Sequence, residues 1–319
     1  MSKYFTLRID NRHILRAALA MVIVGMLVPG GFGVKPPQWL RYHDDSIDPT
    51  AELDNGAEVS AGDSSGIRAE KTPQAAKIQD KDAVPALATA VPPAEGLKVA
   101  PKFAKHIPAK HLEMTGDKQK QSFINLVLPL ILAANDEIRQ RRAAILVASE
   151  AQDRALLDQW AELYRINPNN VSDEKLLDKL LKRVDTIPVP LALAQAVVES
   201  GWGTSRFAVQ GNALFGQWAW SENAGMRPLA ASNDRAVVRS FSSLLESVRA
   251  YMHNLNTHRN YRRFREARQR LDVASEDTKS GSLVAYLDRY AEIGKEYVTK
   301  ISVIIKSNNL TKFADAELG

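Results

Sequence analysis

The sequence contains no cysteine among its 319 residues. This absence excludes disulfide bonds, thiolate metal sites, a cysteine nucleophile and a lipid attached to cysteine. No glycine-rich phosphate-binding loop is present either, so nothing supports a nucleotide-binding function. His253 and His258 lack an acidic residue at ligand spacing, and a helix would point them apart. We therefore expect neither a metal nor a cofactor.

The sequence has only a small excess of positive charge, with 42 lysines and arginines against 37 aspartates and glutamates. This mild positive balance suits an anionic polymer such as peptidoglycan, nucleic acid or a phospholipid surface, without choosing among them. The densest basic run, from Arg259 to Arg270, has only Tyr261 and Phe264 as aromatic neighbours. We interpret it as a solvated helix face and expect no nucleic-acid partner.

The first 34 residues have the charge asymmetry of an exported protein, since basic residues precede an uncharged run over 17–34. The apolar centre, 17–28, is short for a bilayer span of about 20 residues, although Phe32 and its flanking glycines extend it. No clear cleavage site is present. A cleaved signal peptide and an N-terminal membrane anchor therefore both remain open, and both place the rest outside the cytoplasm.

Composition divides the remaining chain at about residue 118. Residues 35–117 are rich in proline, alanine, glycine, serine and charge, which predicts a disordered linker. Beyond it, apolar residues recur at helical spacing. The run 123–134 is apolar but about 12 residues long and contains Asn125, which favours a core helix over a second membrane segment. Pro129 is expected to kink or divide this helix.

Further on, the pattern predicts a mostly helical α+β domain with one small β lobe. A turn at 167–170 precedes a helix capped by Ser172, and another helix runs from Leu191 to the glycines at 201–203. The helical period is lost over 219–241, where turn residues surround a short apolar run, so we predict a β-hairpin. Helices are predicted again from 244 to 255 and from 283 to 305.

Glu199 occupies the C-terminal end of the apolar helix that starts at Leu191. A carboxylate there meets the negative end of the helix dipole and apolar surroundings, and both raise its pKa. A carboxylic acid that keeps its proton near neutral pH can protonate a glycosidic oxygen. An ordinary surface residue is the commoner meaning of this position alone, so the neighbouring residues decide.

Two segments around Glu199 carry a specific motif, QAVVESGWGTSRFA at 195–208 and QGNALFGQW at 210–218. They resemble the signature of family 73 glycoside hydrolases, the glucosaminidase domains of the lysozyme-like superfamily. The segments 251–258 and 290–297 resemble the Bax-like proteins of Gram-negative bacteria. The resemblance covers roughly residues 118–305. It implies a lysozyme-like helical domain within 118–319 that cleaves peptidoglycan glycan strands at the N-acetylglucosaminyl β-1,4 linkage, in the periplasm or anchored to the inner membrane.

The resemblance also assigns roles to individual residues. It implies that Glu199 is the general acid and that Ser200 hydrogen-bonds across the cleft to hold the β lobe. It also implies that Tyr290 is a second catalytic residue, beside the glutamate and near where positive charge develops on the sugar. Its cleft-lining element corresponds here to Asn212, Leu214, Phe215 and Gly216. For each aromatic residue, core packing is the alternative, and Trp202 is the one we expect to be purely structural.

Trp218 and Trp220 are candidate sugar platforms because the C–H faces of a pyranose are apolar. Trp218, which directly follows the Phe215-Gly216 turn and Gln217, is the stronger candidate. The alternative is that both side chains anchor the β lobe to the helices.

A second carboxylate is not evident in the sequence. Glu222 and Asp234 are candidates, but the strand over 236–241 has no acid, whereas Bax-like sequences often carry one there. The substrate's own 2-acetamido group could replace it, or a muramic 6-hydroxyl could attack, as in a lytic transglycosylase. A non-catalytic wall-binding scaffold is the competing class.

Overall fold

A computed structural model describes residues 96–219, 225–227, 237–271, 276–287, 290 and 294–319. The predicted leader over 1–34, most of the predicted linker, Trp220, Glu222 and Asp234 lie outside the described residues. Within these ranges, no helix is long and apolar enough to cross a membrane.

Helices dominate the described part of the chain. The α-helices are α1 (Ala109–Leu112), α2 (Gly116–Glu150), α3 (Arg154–Leu163), α4 (Asp173–Arg183), α5 (Val189–Ser200), α6 (Arg206–Gly211), α7 (Leu244–Thr257), α8 (Arg262–Arg270), α9 (Glu276–Val284) and α10 (Lys295–Ser307). The strands are β1 (Lys98–Val99), β2 (Trp218–Ala219), β3 (Gly225–Met226), β4 (Val237–Arg239) and β5 (Glu317–Leu318). Short 3-10 helices cover Arg259–Tyr261, Ala285–Leu287 and Leu310–Phe313. This confirms the mostly α, α+β class.

The longest helix, α2, packs its apolar run against α5 and α7. Nine of the twelve residues over 123–134 are buried, which confirms a core helix. Pro129 does not divide it, because the helix continues without interruption from Gly116 to Glu150. A proline removes a single backbone hydrogen bond, and burial of this segment on both sides of Pro129 outweighs that loss.

Helix α5 forms the centre of the domain and contacts α2, α9 and α10. Every residue from Val189 to Val197 is buried, as expected of a helix that is apolar all round. It begins two residues before the predicted start, with Pro190 in its first turn, where the missing N–H costs little. It ends at Gly201, whose φ of +58° is a left-handed conformation that favours glycine.

The β lobe is a three-stranded antiparallel sheet in the order β2-β4-β3, so β2 adds a third strand to the predicted hairpin. Strand β4 is central because its buried valines pair on both sides, Val238 with Trp218 and with Met226. Gly225 permits this close pairing, since a Cβ atom there would lie 2.0 Å from the Val238 carbonyl oxygen. A sequence pattern shows which residues form strands, but not which strand lies in the centre and pairs with both of the others.

The folded domain begins earlier than the predicted boundary at residue 118. Strand β1 pairs in parallel with β5 near the C-terminus, with Lys98 opposite Glu317. Ile107 and His111 are buried, and the Lys105 carbonyl accepts a hydrogen bond from the Leu244 N–H. Residues 96–117 are therefore not linker. This segment is held by pairing with a strand that is distant in the sequence. Its few apolar residues therefore do not recur at a regular local spacing.

Two other predictions need correction. The helix expected over 283–305 is broken, since α9 ends at Val284 and α10 begins at Lys295. The basic run is not wholly solvated either, because Arg265 and Arg268 are buried. Their guanidinium groups donate to backbone carbonyls at the C-terminal ends of α4 and α7, including those of Lys182 and Leu255. Such carbonyls lack partners within their own helix, which gives these arginines a structural role.

Candidate active site

Glu199 lies in the last turn of α5, with its side chain half-buried. Burial raises the pKa of its carboxyl group from 4.5 to about 7. A hydrogen bond from the Tyr297 hydroxyl and the positive charge of Lys300 act in the opposite direction. The expected upward shift is thus present, and removal of the carboxylate from water is its main cause.

The Phe215-Gly216 turn lies against this carboxyl group. Gly216 has a φ of +59°, and a Cβ atom placed on it would lie 3.4 Å from Oε2 of Glu199. The Phe215 ring is buried and stacks on Tyr251, with centroids 3.8 Å apart and planes 6° from parallel. Phe215 therefore positions the turn from within the core, which agrees with the core-packing alternative for this residue of the cleft-lining element.

Tyr290 stands beside Glu199, where the family resemblance places its tyrosine. Its hydroxyl donates a hydrogen bond of 3.1 Å to the Phe215 carbonyl, and its ring stacks on Tyr297 at 5.3 Å. Burial and the negative charge of Glu199 raise the pKa of Tyr290, so its hydroxyl stays neutral. This residue fastens the turn over the acid.

Ser200 and Asn212 are buried and satisfied by protein groups. The Ser200 hydroxyl donates to the Ala196 carbonyl at 2.6 Å and accepts from the Gly203 N–H at 2.9 Å, so it does not bridge the cleft. Asn212 donates to the Phe241 carbonyl at 2.9 Å. Because both side chains are buried, they support the end of α5 and the base of the β lobe rather than offering surface to a substrate.

Trp218 differs from these residues because 54% of its surface is exposed on strand β2. An exposed aromatic face on the lobe fits the predicted sugar platform, which stays a prediction. Trp202 is half-buried and packs edge-on against Phe123 with centroids 5.8 Å apart. That packing agrees with the structural role expected for Trp202.

Three polar residues next to Glu199 received no role from the sequence. Tyr297 donates a hydrogen bond to the Glu199 carboxyl group and accepts one of 3.0 Å from Nε2 of Gln195. Oε1 of Gln195 accepts one of 2.6 Å from the Tyr251 hydroxyl. All three lie in the motif segments, and Gln195 precedes Glu199 by one helical turn. That spacing was the available signal.

The described ranges contain no group of three or more His, Asp or Glu side chains that could hold a metal ion. His253 packs its ring against Tyr164, and His258 packs against Tyr261, at 5.5 and 5.9 Å. The candidate second carboxylates, Glu222 and Asp234, lie outside the described residues. The groups that shift the pKa of Glu199 include no other acid. In the described part of the chain, the site is thus one carboxyl group among tyrosines.

Comparison with known proteins identifies the family. Residues 174–310 match the Glucosaminidase family, described as mannosyl-glycoprotein endo-beta-N-acetylglucosaminidase. The chain is 31% identical over 200 residues to Protein bax of Escherichia coli (strain K12). This aligned region covers 61% of this chain and 71% of that protein. The chain belongs to the Bax-like glucosaminidase-domain proteins. No solved structure gives a significant match.

Membership in the Bax-like family makes this a glycosidase-type enzyme with a peptidoglycan-related glycan as its substrate class. The matched range contains the complete cluster around Glu199, including Gln195, Gly216, Tyr251 and Tyr297. It leaves out residues 96–173, which in this Bax-like protein supply β1, α2 and α3.

Proposed function

We propose that the protein hydrolyses the β-1,4 linkage that follows N-acetylglucosamine in peptidoglycan, with Glu199 as the general acid. One observation carries this proposal: the half-buried Glu199 carboxyl group, in a glucosaminidase domain, has a pKa of about 7. At neutral pH roughly half of the molecules then hold the proton that a leaving glycosidic oxygen needs. A solvated glutamate would have lost nearly all of it.

In the first step, the C1–O bond breaks while Glu199 transfers its proton to the departing oxygen. The carbonyl oxygen of the sugar's own 2-acetamido group attacks C1 and forms a cyclic oxazolinium intermediate. Water then attacks C1 and reopens this ring, and one proton of that water returns to Glu199. We favour this route because β4 and the two following residues, 237–241, contain no acid that could serve as a second carboxylate.

The proposed substrate lies in the periplasm, so the proposal includes export. The basic and apolar character of residues 1–34 is its basis in the sequence, with cleavage or inner-membrane anchoring as the two outcomes. Fractionation of cells followed by N-terminal sequencing distinguishes them. A mature chain that starts beyond the apolar run shows cleavage, and an intact chain in the membrane fraction shows anchoring.

The direct test is digestion of purified sacculi by the full-length chain, with mass spectrometry of the released sugar ends. Wild type should release reducing N-acetylglucosamine ends, and Glu199→Gln should be at least about 100-fold slower because it has no proton to give. Glu296→Gln, an exposed glutamate on α10, is the matched control and should equal wild type. Activity should fall above about pH 7, as Glu199 loses its proton.

Other products would redirect the proposal. Ends with a 1,6-anhydro ring would establish a lytic transglycosylase, and sacculus binding without any release would favour the scaffold. Glu222→Gln and Asp234→Asn test the acetamido route, which predicts nearly full activity for both variants. A loss of activity as large as that of Glu199→Gln in either one would instead identify the second carboxylate.

A further inference from the structure

We infer that Gln195 is a positioning residue, which orients the Tyr297 hydroxyl so that Tyr297 binds one oxygen of Glu199 and leaves the acid proton on the other. This inference rests on the proposed role of Glu199 as the acid. It adds a buried chain of three side chains, Tyr251, Gln195 and Tyr297, that we call the acid relay.

The acid relay runs through the core of the domain. Gln195 and Tyr251 have no exposed surface, and Tyr297 has 2%. The Tyr251 hydroxyl donates to Oε1 of Gln195 at 2.6 Å, and Nε2 of Gln195 donates to the Tyr297 hydroxyl at 3.0 Å. The Tyr297 hydroxyl then donates to Glu199. A buried polar group without a partner is destabilising, so each hydrogen bond of the acid relay favours the arrangement of the next.

The direction of the acid relay follows from the donors available. A tyrosine hydroxyl has a single proton, whereas the amide nitrogen of Gln195 can only donate. Because Tyr297 accepts from that nitrogen, its own proton is left for Glu199. If the Gln195 amide were reversed, its oxygen would compete with Glu199 for this proton. The Tyr251 hydroxyl donates to the amide oxygen, and a reversal would take this acceptor away from the buried hydroxyl proton, which disfavours it.

The consequence for catalysis concerns the two oxygens of the Glu199 carboxyl group. The oxygen that accepts from Tyr297 is occupied, so the acid proton resides on the other one. The donated hydrogen bond also favours the ionised form, which offsets part of the effect of burial on the pKa. Weakening the acid relay should therefore raise the pKa of Glu199 above about 7 and release the orientation of its proton.

The tyrosines near Glu199 do not titrate in the same range as its carboxyl group. In the described part of the chain, those that share an electrostatic interaction with Glu199 are Lys300 and Tyr297 on α10, Tyr251 on α7, Tyr261 in the 3-10 helix after it, and Tyr290. Burial raises the pKa of each of these tyrosines. They stay neutral between pH 5 and about 9. A titration in this range that moves with the relay variants therefore reports Glu199.

The test is a carbon-13 NMR titration of the Glu199 carboxyl group in the full-length chain, assigned by the signal that Glu199→Gln lacks. Tyr297→Phe removes the donor and should raise the Glu199 pKa by about one unit. Gln195→Met should shift it in the same direction by less. The double variant should match Tyr297→Phe alone, because Gln195 acts only through Tyr297. Tyr164→Phe, another buried tyrosine without an electrostatic effect on Glu199, is the control and should leave the pKa unchanged.

Two results would overturn the inference: shifts that add in the double variant, or a Gln195→Met variant with the wild-type pKa. If Gln195→Met fails to fold, Tyr251→Phe takes its place, since it keeps the ring that stacks on Phe215 and removes the hydroxyl that fixes Gln195. In this variant too, the pKa of Glu199 should rise, and an unchanged pKa of Glu199 would contradict the inference. The titration does not require catalytic turnover. If the protein cuts no sacculi but shows the expected shifts in the pKa of Glu199, only the proposed function is rejected.

Discussion

The helical side and the β lobe of this protein are built in different ways. The acid relay lies in the main core beside the half-buried Glu199, and each polar group of the relay has a protein partner. The lobe has strands of two or three residues and a small core of Ala213, Val238, Phe241 and Ala250, packed by Phe207. It leaves Trp218 exposed. A carboxyl group that must keep its proton needs burial, whereas a surface that binds sugar rings needs exposure.

The two regions meet at the Phe215-Gly216 turn. On the helical side, Tyr290 donates to the Phe215 carbonyl, and the Ser247 hydroxyl accepts from the Leu214 N–H at 3.0 Å. On the other side, the chain leaves Gly216 and enters β2 at Trp218. The acid and the candidate platform are thus connected by a short stretch of backbone whose start is held by the helices. Substitutions on the two sides should consequently affect different properties.

The largest effect is expected on the helical side, for Arg268→Met. The buried Arg268 pairs with Asp185 at 3.1 Å and donates to the Thr186 carbonyl and to Oδ1 of Asn256. Removing it leaves these acceptors without their donor, which should lower the free energy of unfolding by about 3 to 5 kcal/mol in urea denaturation.

Arg262→Met on the same helix is the control, because Arg262 is exposed and its pair with Glu266 is 3.7 Å long. It should change the unfolding midpoint very little. An equal loss of free energy of unfolding in the two variants would mean that burial of the basic run contributes nothing to stability. The contrast between the two regions would then weaken.

An effect of about 3 kcal/mol is expected for Glu199→Gln, as a gain in stability that depends on pH. Between 4.5 and about 7, the folded state holds a proton that the unfolded chain releases, so wild-type stability falls as pH rises through this window. A rise in the pKa from 4.5 to about 7 corresponds to about 3 kcal/mol. Glutamine does not titrate, so the variant should exceed wild type by up to this amount at pH 8 and equal it near pH 4.

Urea denaturation at both pH values measures this difference, with the exposed Glu296→Gln as control. A constant difference between Glu199→Gln and wild type at all pH values would show that the charge on Glu199 costs the fold nothing. In that case, the raised pKa could not come from burial.

The sequence predicted the helices better than the contacts between segments that lie far apart in the chain. Helical periodicity located the core helices, and the motif around Glu199 located the carboxyl group that we propose as the acid. The surroundings of Ser200 and Phe215 could not be predicted, because the direction in which each side chain points is fixed only on folding: the Ser200 hydroxyl bonds within its own helix, and the Phe215 ring packs in the core. Gln195 looked like any polar residue in a helix, since Tyr251 and Tyr297, its partners, come from other helices. The start of the domain was missed because β1 pairs with a strand 219 residues away.

The smallest effect, and the one that tests the β lobe, is expected for Trp218→Ala. Because Trp218 is 54% exposed, its removal should change the free energy of unfolding by less than about 0.5 kcal/mol. Loss of an aromatic face for a sugar ring should raise KM on soluble glycan fragments by about five- to tenfold, equivalent to about 1 kcal/mol, with kcat nearly unchanged. Phe103→Ala, with a side chain 48% exposed outside the lobe, is the matched control and should leave KM unchanged. A destabilised Trp218→Ala protein with normal KM would instead make Trp218 an anchor of the lobe, and the platform would have to be sought elsewhere on the lobe.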